Sequence, residues 1–443
     1  MSLASRIALA LASCAAGCLV DNPAWDGRAD GSGSASGSTG DTGDEPRDCM
    51  PLPAADGEIV MLDPSQAAQL DELIATAASG TTFVLADGSY DRSGEPAITI
   101  AAPGVTLRSE TGDRDAVVLD GGGTTTLLVA IAADDVTLAE LTLRGSADRL
   151  VAIAPTGGVA PQRPRIHRVH FADAHGFQLA LEADFAANAF VDDGEVACST
   201  FETSAAFREL QSDCNGMSAI KSFGSAGWRV RDNVFEGFWC PSSAAFVTVH
   251  FGYGARDTII ERNAFRDNNR GPMLGWEADT MGTRAPPDGA TCPNAQHFDG
   301  TMRNNMVWVG GAALAASPVQ PDTMMSAWSA CDVVVQYNTL VNLFVVGYAL
   351  DPRFSDTTGS VVDNLMTDHV EVREGATIID SGNVVDVGFG LFVDASAGDL
   401  HLVAGATQAI DAGVSVAATP PSDDFDGEPR DDAPDVGADE YVP

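Results

Sequence analysis

The chain has 443 residues, of which only 20% are charged, yet Asp and Glu outnumber Lys and Arg by 63 to 24 and give a formal charge of −39. Such a field repels phosphate backbones, which excludes nucleic acid as a partner, and it repels polyanionic polysaccharide unless a local basic groove or a bound cation reverses it. Lys221 is the only lysine.

Residues 1–18 read as a lipoprotein-type signal peptide: Arg6 supplies the positive start, and Ile7 to Ala16 is an apolar run too short to span a bilayer. Cys14 and Cys18 each follow small residues in the manner of a lipobox, and Cys18 is the expected lipidation site because it leaves the longer apolar stretch upstream. Residues 19–57, rich in Gly, Ser and Asp, cannot bury apolar surface and are expected to form a flexible tether. Six further cysteines, Cys49, Cys198, Cys214, Cys240, Cys292 and Cys331, imply up to three disulfides in an exported chain, with the pairing open.

From residue 58 the pattern changes. Pro64 to Ala78 places Ala67, Leu70, Leu73, Ile74 and Ala77 on one helical face, and Gly80 stops it. Short β segments are expected at Thr82 to Ala86, Ala97 to Ile100, Val105 to Leu107, Ala116 to Leu119, Leu127 to Ile131 and Val136 to Leu143, punctuated by Gly, Asp and Pro.

Further along, five segments share one signature: an apolar residue, two variable residues, Asn, one variable residue and a large apolar residue. They are Val230/Asn233/Phe235, Ile260/Asn263/Phe265, Met302/Asn305/Val307, Val335/Asn338/Leu340 and Val361/Asn364/Met366. Ile166/Val169/Phe171 and Val196/Ser199/Phe201 occupy the same columns without the Asn. A rung repeated with variable loops is a solenoid, and Asn233, Asn263, Asn305, Asn338 and Asn364 are expected to stack and pass hydrogen bonds from rung to rung.

The opening helix and strand, the Ala86-Asp87-Gly88-Ser89-Tyr90 turn, Asp120-Gly121-Gly122, and the endings Ala409-Ile410-Asp411-Ala412-Gly413 and Asp424-Phe425-Asp426-Gly427 resemble those of exported right-handed parallel β-helix proteins of the pectate-lyase-like superfamily. The resemblance implies an all-β fold: one single-stranded parallel β-helix over residues 58–443, capped at its start by a helix and closed by a tail from about residue 405. It also implies a monomeric lipoprotein at the cell surface or in the periplasm, touching the membrane only through its lipid, that engages polysaccharide. Cleavage of uronic-acid glycans by β-elimination is one implied chemistry, and a structural or adhesive protein without catalysis is the alternative. The Asn-Thr-Asp, Asp-Asp and Gly-His-Gly patterns of polygalacturonases are absent from the sequence.

Alignment of the rungs places Lys221 and His250 in one outward column, with Glu182 in or near it and Trp276 beside it as a sugar-stacking surface. Elimination needs a base for the C5 proton, a cation for the uronate carboxylate and a donor to the leaving oxygen, roles that Lys221, His250 and Glu182 could fill. Arg229, Arg256, Arg262 and Arg270, with Glu277 in the long insertion from Arg270 to Asp299, are the candidate substrate-binding groups. Lys221 and Glu182 could equally make a surface ion pair. No cofactor is demanded by the sequence. Ca²⁺ is the cation that the oxygen-rich Asp424-Phe425-Asp426-Gly427 stretch would suit, although that stretch lacks a full calcium-loop spacing and reads more simply as a turn.

Overall fold

The structure, a computed structural model, describes residues 49–214, 216–276, 282–414 and 420–442. The signal-peptide segment, Cys18 and most of the tether lie outside the described residues, as does Glu277.

Among the described residues, three parallel sheets of twelve, ten and nine strands wind around one apolar interior. Each turn of the coil contributes one strand to each sheet: Arg229–Arg231 to the first, Val234–Glu236 to the ten-stranded sheet, and Val249–Gly252 to the nine-stranded sheet. Parallel strands joined by such crossovers follow the handedness of the twisted strand, and the result is a right-handed parallel β-helix.

Inward positions stack in register. On the first sheet Val60, Phe83, Leu107, Leu138 and Ile166 are successive partners, continued by Val196, Val230, Ile260, Met302, Val335 and Val361. On the ten-stranded sheet Phe171, Phe201, Phe235 and Phe265 stack with centroids 4.4, 5.0 and 4.8 Å apart. This is one rung of spacing.

The Asn signature marks the corner between these two sheets. Asp232, Arg262, Asn304, Tyr337 and Asp363, each immediately before its asparagine, have φ between 51° and 60°. A left-handed residue turns the chain sharply and frees backbone groups, which the asparagines then satisfy. Asn263 Oδ1 accepts from the backbone N–H and Nδ2 of Asn233, both at 3.0 Å, while its own Nδ2 reaches the Val230 carbonyl at 2.9 Å and Asn305 Oδ1 at 3.0 Å. The same pattern continues through Asn305, Asn338 and Asn364. It extends to Asn383, and at the opposite end the Ser199 backbone N–H donates to Asn233 Oδ1 at 2.9 Å.

Several boundaries differ from the sequence expectation. Val136 to Leu143 forms two strands, Thr137–Ala139 and Thr142–Ser146, because Glu140 (φ 59°) occupies the corner and pairs with Arg108 at 2.8 Å. The amphipathic stretch begins as a 3-10 turn, Pro64–Gln69, capped by Asp63, and becomes α-helical only over Leu70–Ala75. It buries Ala67, Leu70 and Ile74 against the first strands. Residues 49–57 are held against the body: Cys49 is bonded to Cys198, the Met50 carbonyl lies 3.0 Å from His167 Nε2, and Arg108 donates to the Leu52 carbonyl at 2.9 Å.

The C-terminal tail lies along the side of the coil. Arg262 pairs with Asp423, Asn304 donates to the Asp423 carbonyl at 2.7 Å, Gly437 donates to the Asp363 carbonyl at 3.0 Å, and Ala438 donates to Thr339 Oγ1 at 2.9 Å. The two terminal segments therefore strap the same corner, one over its first rungs and the other over its last. The remaining disulfides are Cys214–Cys240 and Cys292–Cys331.

Candidate functional site

The outward column of the nine-stranded sheet runs Thr99, Ala130, Ala152, Ala180, Lys221, His250, Met273, Ser326 and Asp351. Small residues give way to chemistry-bearing ones at Lys221. Lys221 and His250 are direct partners on adjacent strands, and Lys221 Nζ lies 2.8 Å from His250 Nδ1. His250 Nε2 lies 2.8 Å from the Gly275 carbonyl. Since a carbonyl only accepts, Nε2 carries the proton and Nδ1 offers its lone pair to Lys221. Burial, followed by the charge of Lys221, holds the imidazole well below its ordinary pKa, and His250 is neutral.

Gly275 makes this arrangement available. Its φ of +81° turns the carbonyl toward His250, and a Cβ there would collide with the Trp328 carbonyl.

The column faces outward but is not bare: Lys221 is 3% and His250 0% exposed. Aromatic side chains cover them. Lys221 Nζ sits 3.9 Å from the Phe246 ring centroid, 4.8 Å from Tyr253 and 5.4 Å from Phe223. Beyond the pair the cover continues as a stack, with Phe246–Trp276 centroids 5.0 Å apart, Trp276–Trp328 at 5.5 Å and Trp328–Phe354 at 5.9 Å. Arg353 lies 4.8 Å over Trp328. Trp328 Nε1 donates to Asp351 at 2.9 Å, and Arg373 Nε reaches the other oxygen of that carboxylate at 2.9 Å. Together with Val247 and Met273 these rings form a cluster separate from the solenoid interior, in which Phe246, Trp276 and Phe354 are only partly buried.

The structure thus brings Lys221, His250 and Trp276 together and leaves the other sequence candidates elsewhere. Ala180, not Glu182, is the partner of Lys221. Glu182 lies one pleat further along and pairs with Arg149 at 2.7 Å. Arg229 projects from the first sheet, half exposed, 3.6 Å from Glu261. Arg262 occupies the strapped corner, bound to Asp232 at 3.0 Å, and Arg256 lies in a short strand over Phe298 at 5.9 Å. Arg270 precedes the strand Pro272–Gly275 and is engaged with Asp322 at 2.7 Å. Each is separated from Lys221 by a corner or committed to a carboxylate.

The sequence reading missed Phe246, Tyr253, Trp328 and Phe354. Trp328 was within reach of register, since Thr323–Trp328 is the next strand of the sheet, but insertions of unequal length hide the alignment. The tail stretch that resembled a calcium loop makes hydrogen bonds within the tail and to His401. Asp424 accepts from the backbone N–H groups of Asp426, Glu428 and Glu440 at 3.0, 2.8 and 3.0 Å, and Asp426 lies 2.8 Å from His401 Nε2.

No protein-family model and no curated protein matches this chain. Solved structures do. A pectate lyase superposes with a TM-score of 0.51 at 12% identity, covering 88% of this chain and 97% of its own. An alginate lyase from Paenibacillus sp. strain FPU-7 gives 0.50 at 13% identity, covering 72% of this chain and 99% of its own. At such identity the likeness is one of fold, and the chain is a right-handed parallel β-helix.

Proposed function

We propose that the protein engages polysaccharide on the outer face of its nine-stranded sheet, as an exported lipoprotein anchored through Cys18 at the cell surface or in the periplasm. The observation that carries this reading is the partly exposed aromatic stack Phe246–Trp276–Trp328–Phe354, which lies outside the core and against the one lysine of the chain. Indole and phenyl faces stack on the C–H faces of sugars, and the flanking Arg353, paired with Glu374 at 2.7 Å, places a guanidinium beside the stack. The two neighbours, a pectate lyase and an alginate lyase by name, support a uronic-acid polymer as the substrate class.

The finer reading is β-elimination. Lys221, stripped of water by rings and held by neutral His250, is the group to take the C5 proton, a role that requires it as the uncharged amine. His250, with both nitrogens engaged, positions it and is not a free base. Binding without cleavage is the second reading, and the burial of Lys221 favours it.

The test is incubation of the purified protein with pectate, alginate and neutral glucans, with and without Ca²⁺, following unsaturated product by ultraviolet absorbance and retention by affinity electrophoresis. Retention that falls about tenfold or more in Trp276→Ala and Trp328→Ala supports the face. Unsaturated product that disappears in Lys221→Met supports elimination. Retention unaffected by both tryptophan changes rejects the proposal.

A further inference from the structure

The aromatic face ends in two arginines. Trp328, Arg353 and Arg373 are direct partners on three successive rungs, so an indole and two guanidiniums project in one outward column beside the stack. Arg353 lies over two of the rings, 4.8 Å from the Trp328 centroid and 4.5 Å from that of Phe354. A guanidinium seated on rings keeps its N–H donors, which point outward in its own plane, for an anion.

The two arginines are held differently. Arg373 gives Nε and Nη2 to the two oxygens of Asp351 at 2.9 and 2.5 Å, and that fully buried carboxylate also takes the Trp328 indole N–H. Opening this pair would leave a charge enclosed without its partner, so Arg373 is locked. The guanidinium of Arg353 makes one hydrogen bond, from Nη2 to Glu374 Oε1 at 2.7 Å, while its Nε is enclosed with no partner. Most of its fork is therefore unfilled. The pair is also open to water, with side chains 21% and 46% exposed, and an ion pair so placed is weak.

Glu374 reaches Arg353 from an exposed turn. Its φ is 49° and that of Gly375 87°, and the Ala376 N–H closes the turn on the Arg373 carbonyl at 3.1 Å. Glutamate enters the left-handed region at a cost that glycine escapes, and what stands against that cost is a carboxylate held at the guanidinium. The hydrogen bond from Arg353 keeps this carboxyl below its usual range, so Glu374 is an anion wherever a uronate is.

We propose that Arg353 is the residue by which the aromatic face distinguishes a uronate from a neutral sugar, and that Glu374 is an internal carboxylate that the uronate displaces. The inference rests on the proposed sugar-binding face and adds to it the group that sets its preference. With one sugar against the stack, the carboxylate of a neighbouring unit meets the fork of Arg353 with two oxygens, where Glu374 offers one. Glu374 then turns into water at little cost, because its side chain is already half exposed. A neutral sugar has no anion to exchange and leaves Glu374 in place. The exchange also explains how a chain of formal charge −39 could take a polyanion, since one negative charge leaves the guanidinium as another arrives.

The experiment measures dissociation constants by affinity electrophoresis for pectate and alginate, and for the same polymers with their carboxyl groups reduced to alcohols, at one ionic strength. The proteins are wild type, Arg353→Gln, Arg353→Lys, Glu374→Gln and, as a control for net charge, Glu72→Gln on the exposed side of the helix Leu70–Ala75 at the other end of the coil. Near-ultraviolet circular dichroism confirms the tryptophan packing of each variant. Arg353→Gln should weaken binding of the acidic polymers by about tenfold or more and leave the reduced polymers within about twofold. Arg353→Lys, which keeps the charge without the fork, should recover only part of the loss. Glu374→Gln should tighten binding of the acidic polymers by about two- to fivefold beyond any change in Glu72→Gln, the worth of an exposed ion pair. No loss in Arg353→Gln, an equal loss for acidic and reduced polymers, or Glu374→Gln no tighter than Glu72→Gln overturns the inference. Trp276→Ala separates it from the reading beneath it. Retention that needs Trp276 but ignores Arg353 keeps the sugar face and removes its carboxylate reader, whereas wild type that retains neither kind of polymer overturns both.

Discussion

Asp380 occupies, in the last strand of the first sheet, the inward position that Val361 fills in the strand before it. Every earlier member of that column is apolar, and Asp380 is exposed at the open end, where it accepts from Asn383 Nδ2 at 2.7 Å. Because the C-terminal tail straps the side of the coil, the edge of Thr377–Ser381 is guarded by this carboxylate, an inward charge of the kind that blocks edge pairing. Asp380→Val should therefore produce concentration-dependent association where wild type shows less, read by sedimentation velocity. Unchanged sedimentation would mean that something other than Asp380 protects the edge.

The asparagine ladder predicts a gradient of cost. Asn305→Ala removes the acceptor for the Asn263 backbone N–H at 3.0 Å and the donor to the Ile260 carbonyl at 2.9 Å, both buried. Leaving these groups unmatched should cost about 3 to 5 kcal/mol in denaturant unfolding. Asn383→Ala, at the half-buried end where water can substitute, should cost about 1 to 2 kcal/mol. Equal losses at the two positions would refute a cooperative ladder.

The fold was legible because this corner repeats in sequence. A left-handed residue followed by Asn, with an apolar residue on each side, recurs at five successive turns, so the spacing of Asn233 to Asn364 exposes the coil even though the loops vary. Asn383 escaped because its rung replaces the inner valine by Asp380 and breaks the signature. The site was legible only where strands keep register. Lys221 and His250 lie 12 and 13 residues before Asn233 and Asn263 and align once one loop residue is inserted, whereas Arg229 and Arg262 are close in sequence but sit on another sheet and at its corner, since a single turn visits all three faces. Composition led to the reading of residues 49–57 as tether. What holds them is the pairing of Cys49 with Cys198, and sequence leaves that pairing open.

That disulfide closes a separation of 149 residues and fixes the N-terminal strap at the sixth strand of the first sheet. Changing both Cys49 and Cys198 to Ser should lower stability by about 2 to 5 kcal/mol. Proteolysis should then cut within residues 49–57 before the body, because only the side chains of Arg108, Glu140, His167 and Arg168 then hold that stretch, through hydrogen bonds to its backbone. A double variant whose strap stays protected would show that the disulfide is dispensable.

The C-terminal strap is pH-sensitive. Burial raises Asp439 to about 7, with the charge of His401 opposing, and raises Asp424 to about 6. His401, raised to about 11 by Asp399 and Asp426 against its burial, stays protonated across this window. A carboxyl that binds its proton more tightly in the folded state contributes stability that is fully present below its unfolded value near pH 4 and lost as pH rises through about 7. Asp439→Asn keeps an acceptor for the Leu402 N–H, 2.6 Å from the native carboxylate, but cannot titrate. Between pH 4 and 8 wild type should lose about 2 to 4 kcal/mol relative to this variant, seen as a difference in slope of unfolding free energy against pH. Parallel slopes would contradict the assignment.

Lys221 offers its own probe because no other lysine competes with it. Enclosed by Phe223, Phe246 and Tyr253 and hydrogen-bonded to His250, its amine should resist an N-hydroxysuccinimide ester in the folded protein, leaving only the α-amino group to react when that group is free. Trp276→Ala removes the ring lying 5.6 Å from His250 and 6.0 Å from Nζ and opens the cover from the side that a sugar would approach. Acylation of Lys221, located by peptide mass, should then accelerate by about tenfold or more, since desolvation by the rings is what shields the amine. His250→Gln, which can still accept a hydrogen bond while leaving the rings in place, should accelerate it far less. If Lys221 reacts as fast in wild type as in Trp276→Ala, the aromatic cover does not control access to the lysine, and the elimination reading loses the desolvated base on which it depends.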